Sequence, residues 1–194
     1  MRFLIASALI ASSGIAAPAL AQDAPAPDKE FQGFKILAVG GIDRVNSGGD
    51  GETGVGYGGT VGYDYQSGKG VFGVEGEVDG STAKRCADSV IAAGDRSCIK
   101  AGRDFYAGAR AGYAVSPKVL VYVKGGYTNA RATADYTLAG ASTKTSDNLD
   151  GWRAGTGVEV NAGKNLVARV EYRYSNYQGD TSRHQGVVGL GFKF

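Results

Sequence analysis

Two groups of residues have types and spacing that could support catalysis. His184 is the single histidine of the chain, and Ser182 lies two residues before it, so a hydroxyl and an imidazole could act as nucleophile and base. Glu75, Glu77 and Asp79 recur at every second position, which places three carboxylates on one face of a β-strand. Paired carboxylates can carry out acid–base catalysis. Whether either group is catalytic depends on the elements that position it.

Cys86 and Cys98 are the two cysteines of the chain, and eleven residues separate them. In an exported chain an even pair of cysteines predicts a disulfide, with two free thiols or a redox role as the alternatives. Closing a loop of this size would contribute ~3 kcal/mol by restricting the unfolded chain. Two cysteines and one distant histidine do not form a ligand set, so the sequence predicts no metal site and no cofactor.

The N-terminus has the layout of a secretory signal peptide. A positively charged start and an apolar stretch precede the A-x-A motif Ala19-Leu20-Ala21, where cleavage is expected. The sequence therefore predicts a signal peptide over 1–21, a short disordered leader rich in Ala, Pro and Asp over 22–32, and one folded domain over 33–194.

The composition excludes several classes of protein. Glycine accounts for 32 of 194 residues, or about 16% against a usual ~7%. The 4 prolines and the absence of a Gly-X-Y period exclude collagen. No apolar run of ~18 residues follows the first fifteen, which excludes a helical membrane protein. A formal charge of +2 gives no basic surface for nucleic acid.

Beyond residue 33, apolar and polar residues alternate with period two, which predicts β-strands. We predict eight strands, Phe34–Arg44, Gly54–Gln66, Val71–Gly80, Asp104–Val115, Val119–Ala130, Asp150–Val160, Leu166–Tyr177 and Gln185–Phe194. No proline lies inside a strand, where it would remove a ladder hydrogen bond.

The predicted connections are alternately tight and long. The tight ones are 66–70, 116–118 and 161–165, and the long polar ones are 45–53, 81–103, 131–149 and 178–184. This alternation is typical of outer-membrane barrels, which have short periplasmic turns and long extracellular loops. We therefore predict an all-β fold, an eight-stranded antiparallel up-and-down transmembrane β-barrel, with both termini periplasmic and the long loops extracellular.

Alternation alone does not say which face is outside, because a soluble lipocalin-like barrel has the same period with its apolar face inside. Each strand reaches about ten residues, enough to cross the hydrocarbon layer at a tilt. Tyr and Trp cluster near the strand ends, as in an interfacial girdle. The charged face carries both signs, so its side chains can pair inside the barrel. The predicted interior network is Lys35, Asp43, Asp64, Glu75, Glu77, Asp79, Asp104, Arg110, Lys124, Arg153, Glu159, Arg169, Glu171, Arg173 and Lys193, and Leu37, Val39, Leu120 and Tyr122 would also point inward.

Three segments resemble a known family. The run Lys35-Ile-Leu-Ala-Val-Gly-Gly-Ile-Asp-Arg-Val45 and the spacing in Gly59-Thr-Val-Gly-Tyr63 resemble the outer-membrane β-barrel family that includes the opacity proteins. The end of the chain is similar to the terminal signature of outer-membrane proteins, with Val188, Leu190, Phe192 and Phe194 at every second position. The fold is also similar to the transmembrane domain of outer-membrane protein A. The resemblance implies recognition of these four residues by the barrel assembly machinery.

The sequence thus predicts a monomeric integral outer-membrane barrel of a Gram-negative bacterium, with a structural or surface-exposed role and no catalysis. Its expected partners are outer-membrane lipid and lipopolysaccharide. The alternatives are a narrow porin-like channel, an enzyme that modifies lipid A or phospholipid, and a soluble lipocalin-like carrier. The three clustered carboxylates are expected to belong to the ion-pair network, and His184 is expected to lie in a solvated loop. Whether the loops serve an adhesin, an immune target or a passive component stays open.

Overall fold

A computed structural model describes residues 29–47, 50–89, 94–138, 141–163 and 165–194. Its strands are β1 (Gly33–Ser47), β2 (Asp50–Ser67), β3 (Gly70–Ser81), β4 (Lys84–Asp88), β5 (Arg96–Ser116), β6 (Val119–Leu138), β7 (Ala141–Asn161), β8 (Leu166–Tyr177) and β9 (Thr181–Lys193). None of these described residues forms a helix that is long and apolar enough to cross a membrane.

Eight of the nine strands form a closed antiparallel barrel. The ring runs β1–β2–β3–β5–β6–β7–β8–β9, and β9 pairs with β1 to close it. β4 lies outside this ring and pairs with the first part of β5. The eight predicted strands and their up-and-down order are confirmed. The sequence missed β4 because its residues, Lys-Arg-Cys-Ala-Asp, show no alternation of apolar and polar side chains.

The two ends of the barrel differ in how their strands are joined. At the turn end, β2–β3, β5–β6 and β7–β8 are joined by the predicted tight connections. At the opposite, loop end, much of what we predicted as loop is strand, because β5, β6 and β7 pair with one another beyond the ring. We call this part the hairpin extension: β4, residues 96–103 of β5, 131–138 of β6 and 141–149 of β7.

The apolar residues of the strands face outward and the charged residues face the lumen. Ile36, Val121 and Val170 are 46%, 42% and 62% exposed, whereas Asp43 and Glu159 are fully buried. Exposing a charged side chain to lipid costs free energy, whereas apolar side chains are favourable there. This arrangement therefore fits a membrane-spanning barrel. The soluble-carrier alternative, which requires an apolar interior, is wrong.

Exposed aromatic side chains form a belt at each end of the apolar surface. The turn-end belt contains Phe34, Tyr63, Tyr65, Phe72, Tyr113 and Phe192, and the loop-end belt contains Tyr57, Phe105, Tyr127 and Trp152. The half-buried Tyr174 packs beside Trp152. Tyr113 and Phe105 lie eight positions apart on β5. About 27 Å of strand therefore separates the belts, or about 21 Å along the membrane normal at a strand tilt of ~40°, which is close to the ~25 Å apolar band of outer-membrane barrels.

Residues 29–32 close the turn end of the lumen. Phe31 is fully buried and packs in one cluster with Val71, Ala114, Leu120 and Tyr122. The main-chain nitrogen of Phe31 donates to Gln66 Oε1 at 2.9 Å. The predicted disordered leader is therefore wrong for residues 29–32, because a buried aromatic ring fixes them. The predicted signal peptide over 1–21 and residues 22–28 of the predicted leader lie outside the described residues.

Replacing Val121 with arginine should destabilise the inserted barrel, because arginine on the lipid face near mid-depth costs ~2–4 kcal/mol. The free energy of unfolding from phospholipid vesicles, measured by urea titration, checks this. Thr145→Arg is the control, since Thr145 is exposed in the hairpin extension. Equal stability of the Val121 and Thr145 variants would show that the outer face has been assigned incorrectly.

Candidate functional site

The lumen holds a network of buried charged side chains. Fourteen of the fifteen predicted members are there, each at most 5% exposed, and Arg183 is a further member that the sequence did not identify. Among the described residues the network has eight acids and seven bases. The acids are Asp43, Asp64, Glu75, Glu77, Asp79, Asp104, Glu159 and Glu171, and the bases are Lys35, Arg110, Lys124, Arg153, Arg169, Arg173 and Arg183.

The part of the network nearest the turn end links five strands, β1, β2, β5, β7 and β8. Lys35 Nζ lies 2.7 Å from Asp64 Oδ2 and also contacts Glu159. Arg110 donates through Nε to Asp64 Oδ1 at 2.7 Å and through Nη1 to Glu159 Oε2 at 3.0 Å. Arg169 donates to the same Glu159 oxygen at 3.1 Å. Asp64 and Glu159 thus each form ion pairs with more than one base. These shared pairs join the strands across the lumen.

Lys124 lies at the centre of the network. Its ammonium is 2.8 Å from Glu75, 2.6 Å from Glu77 and 2.8 Å from Glu171, and the side chain is completely buried. Arg169 Nη1 also donates to Glu75, at 2.7 Å, which connects the centre to the turn end. An ammonium has three donors and no acceptor, so three carboxylates satisfy it fully.

The part nearest the loop end is organised by Arg153 and Arg183. Arg153 donates to Glu77 at 2.9 Å and Asp79 at 3.1 Å, and it also pairs with Asp104. Arg183 binds both oxygens of Asp43, at 2.7 and 2.8 Å, and donates to Asp104 at 2.7 Å. An unbroken chain of ion pairs therefore runs along the lumen from the turn end to the loop end.

Two tyrosine rings lie between cations inside the network. The Tyr122 ring has the Arg110 and Arg169 guanidinium carbons 4.8 and 5.3 Å from its centroid. The Tyr106 ring has Lys124 Nζ at 4.8 Å and the Arg153 guanidinium carbon at 5.3 Å. These cation–π contacts favour the charged bases without adding a further charge. The sequence pattern placed Tyr122 inside correctly but gave no sign of the stacking.

Inward-facing glycines make room for these long side chains. A Cβ on Gly157 would lie 2.7 Å from Tyr122 Oη, and one on Gly108 would lie 2.2 Å from Tyr106 Oη. The same two Cβ atoms would also meet main-chain oxygens of Val170 and Gly125, at 2.7 and 2.5 Å. The high glycine content thus has a steric origin at these positions.

Lys193 and Arg183 depart from the predicted membership. The Lys193 ammonium donates to the main-chain oxygen of Glu30 at the turn end, and no ion pair joins it to the network within the described residues. Its register partner Lys35 pairs with Asp64 and Glu159, whereas Lys193 contacts the segment that closes the turn end. Arg183 was assigned to a loop, but β9 already begins at Thr181. Continuing the period of two back from Gln185 would have found it.

His184 and Ser182 lie on β9, not in a solvated loop as predicted. His184 Nδ1 is hydrogen-bonded to the Tyr172 hydroxyl at 2.7 Å, and its ring centroid is 5.0 Å from that of Tyr174. The histidine therefore belongs to the aromatic surface near the loop-end belt. Within the described ranges, no group of three or more His, Cys, Asp or Glu residues is arranged to hold a metal ion.

Cys86 and Cys98 form the predicted disulfide, which is confirmed. The two residues are register partners on β4 and β5, so the bond joins neighbouring strands of the hairpin extension. In the same extension, Lys100 Nζ donates to Asp135 at 2.6 Å, and this hydrogen bond lowers the pKa of the Asp135 carboxyl. A hydrogen bond to Asp95 raises the pKa of Tyr136.

The four residues of the terminal signature are all exposed. Val188 is 58% exposed, Leu190 62%, Phe192 57% and Phe194 72%. Val188, Leu190 and Phe192 lie on the outer face of β9, which pairs with β1 at the seam of the barrel.

The family model for the outer membrane protein beta-barrel domain matches residues 7–194. The chain belongs to this family. It is 31% identical over 189 residues to the 22 kDa outer membrane protein of Rhizobium leguminosarum bv. viciae, with 90% of this chain and 83% of the relative covered. It is 32% identical over 141 residues to the 25 kDa outer-membrane immunogenic protein of Brucella ovis, with 69% and 61% covered. The chain therefore spans about three fifths of the Brucella relative.

Solved structures of small outer-membrane barrels have the same fold. Neisserial surface protein A superposes with a TM-score of 0.57 at 16% identity, covering 83% of this chain and 97% of that one. The attachment invasion locus protein Ail of Yersinia pestis gives 0.55 at 19% identity, covering 84% and 99%. Family membership places this barrel in the outer membrane of Gram-negative bacteria, in agreement with its apolar outer face.

Removing one partner from the network should destabilise the barrel strongly. Arg153→Met leaves three carboxylates short of a base, which costs about 3–5 kcal/mol for a buried pair. The free energy of unfolding from vesicles is the measurement. Lys100→Met, which breaks the exposed pair with Asp135, should cost only about 0–1 kcal/mol. A loss for Arg153→Met no larger than this control would contradict a tightly paired lumen.

Replacing both Cys86 and Cys98 with serine should loosen the hairpin extension and leave the barrel folded, because β4 lies outside the ring. Trypsin cleavage near Lys84 and Arg96, followed by mass spectrometry on the protein in vesicles, checks the first part. Gel migration without heating, where folded barrels run faster, checks the second. Failure of the double variant to fold would make the disulfide essential to the barrel itself.

Proposed function

We propose that this protein is a monomeric, sealed surface barrel that anchors its hairpin extension outside the cell. The observation that carries this proposal is the chain of ion pairs through the lumen, from Lys35 to Asp43. A barrel of eight strands has an interior just wide enough for side chains to fill. Here those side chains are held to one another in every part of the lumen.

Closure of the turn end supports the sealed lumen. Phe31, Val71, Ala114, Leu120 and Tyr122 form an apolar layer below Lys35, and Lys35 Nζ lies 5.8 Å from the Phe31 centroid. A hydrated ion would have to cross this layer and then displace paired charges. The porin-like channel, our second candidate, requires a continuous polar path instead.

The orientation in the membrane follows from the asymmetry of the ends. We place the turn end and both termini in the periplasm and the hairpin extension outside the cell, as in other outer-membrane barrels. The polar, exposed residues 141–148 support this placement, because they project beyond the loop-end belt. The name of the Brucella relative, an immunogenic protein, also supports a surface-exposed role.

The partners we propose are outer-membrane lipid with lipopolysaccharide and the barrel assembly machinery. The exposed apolar face contacts the lipid, and the terminal residues Val188, Leu190, Phe192 and Phe194 are the proposed assembly signal. Their exposure on the seam strand supports that role.

We propose no catalytic activity for the barrel. The candidate pair does not support a catalytic role, since no hydrogen bond joins Ser182 to His184 among the described residues and the His184 ring is bonded to Tyr172 instead. Glu75, Glu77 and Asp79 each contact a base of the network, which supports a structural role for them.

Conductance in a planar lipid bilayer tests the sealed lumen. The refolded wild-type chain should give no steady current. Removing a charge-neutral pair with Glu77→Ala and Arg153→Ala should produce openings, because it deletes the middle of the ion-pair chain. The matched control is Lys100→Ala with Asp135→Ala, an exposed pair that should leave the membrane silent. A reproducible open channel from folded wild-type protein would instead establish the pore.

A further inference from the structure

A cavity of about 440 Å³ lies in the loop-end mouth, enclosed partly by the hairpin extension. Its walls are mainly small and apolar side chains, among them Val45, Ala83, Ile99, Ala101, Ala132 and Leu149. Pockets that bind small molecules have this size range and this mixture of apolar walls with few polar groups. The apolar walls are unexpected at this level, because the surrounding surface is polar.

The floor of the cavity is the top of the ion-pair network. Arg183 and Tyr177 line it, and both are bonded to Asp104, at 2.7 and 2.6 Å. Arg183 is also held by both oxygens of Asp43. The positive charge of Arg183 is therefore already neutralised by the carboxylates beneath it. An occupant of the cavity would not reach deeper into the lumen.

One side of the cavity has a lower wall than the others. The β8–β9 pairing ends at Tyr177 and Thr181, and β1 ends level with it at Ser47, the register partner of Thr181, whereas β7 extends much further, to Ala141. β7 pairs with β8 only over residues 151–161, so its residues 141–149 have no strand partner on that side within the described ranges. The gap opens above the β8–β9 turn, just beyond the aromatic belt. A molecule partitioned at the membrane surface could enter there.

The charge around the mouth is positive. The lining includes the bases Lys84, Arg85, Lys100 and Arg131 besides Arg183, and a single acid, Glu52. Arg85 lies 4.0 Å from Glu52, and Lys100 pairs with Asp135. Lys84 and Arg131 are exposed and form no ion pair with another described residue. Because β4, β5 and β6 are adjacent, these two bases lie on neighbouring parts of the extension.

We propose that the cavity binds a single-chain anionic amphiphile, with its alkyl chain against the apolar walls and its anionic head near Lys84 and Arg131. A fatty acid is the simplest molecule of this class. The apolar walls account for the chain, the two bases account for the head, and the lowered rim gives access from the membrane surface. This site is independent of the sealed lumen, which lies below its floor.

Titration of decanoate against the full chain in phosphatidylcholine nanodiscs tests the proposal. Methyl resonances of Ile99 and Leu149, which line the cavity, should shift and saturate. Those of Ile36, which faces the lipid, report decanoate that only enters the bilayer. Decanol, with the same chain and no charge, should require at least a fivefold higher concentration for the same shift.

Variants separate the head from the chain. Lys84→Gln with Arg131→Gln should weaken decanoate binding at least fivefold and leave decanol unchanged. Lys144→Gln is the matched control, because Lys144 belongs to the extension but does not line the cavity. Ile99→Gln should weaken both ligands. Shifts at Ile36 equal to those at Ile99, or no saturation at Ile99, would overturn the site. Equal affinity for decanol and decanoate would overturn the anionic head. Neither failure would alter the conductance that tests the sealed lumen.

Discussion

Burial of charge in the lumen is the constraint on which the rest of the barrel depends. Removing an ion from water costs several kcal/mol even after relaxation, and this cost is offset only when partners and hydrogen bonds are well placed. The eight acids and seven bases meet that condition by sharing partners, as Lys124 does with Glu75, Glu77 and Glu171. A shared network fixes many strands at once, because each base connects carboxylates from different strands.

This constraint also explains features that are unusual in the composition. Long charged side chains need space within a narrow ring, so glycines face them at positions such as Gly108 and Gly157. The interior has one more acid than base in the described part of the chain, and Tyr106 and Tyr122 contribute their ring faces to the bases without adding charge. The outer face is then left free to be apolar, which lipid contact requires.

The alternation of side chains was enough to predict the barrel and the direction of its faces, because a strand has a period of two wherever one face differs from the other. It was enough for fourteen network members but failed at the ends of strands. Arg183 was missed because the polar residues around it suggested a loop, and Phe31 because its neighbours suggested a disordered leader. Which residues pair within the network depends on the register of the strands and on the closure of the ring. Neither can be read from the pattern of a single strand.

The hairpin extension and the barrel have different physical requirements. The ion-pair network of the lumen ends below the extension, at Arg183, which binds Asp43 and Asp104. Changes beyond Arg183 do not leave a network carboxylate without its base, so they are not subject to the cost of an unpaired buried charge. The extension can therefore differ in its residues while the ion pairs of the ring stay the same. The apolar cavity above Arg183 is one example, because it lies beyond the last ion pairs of the lumen.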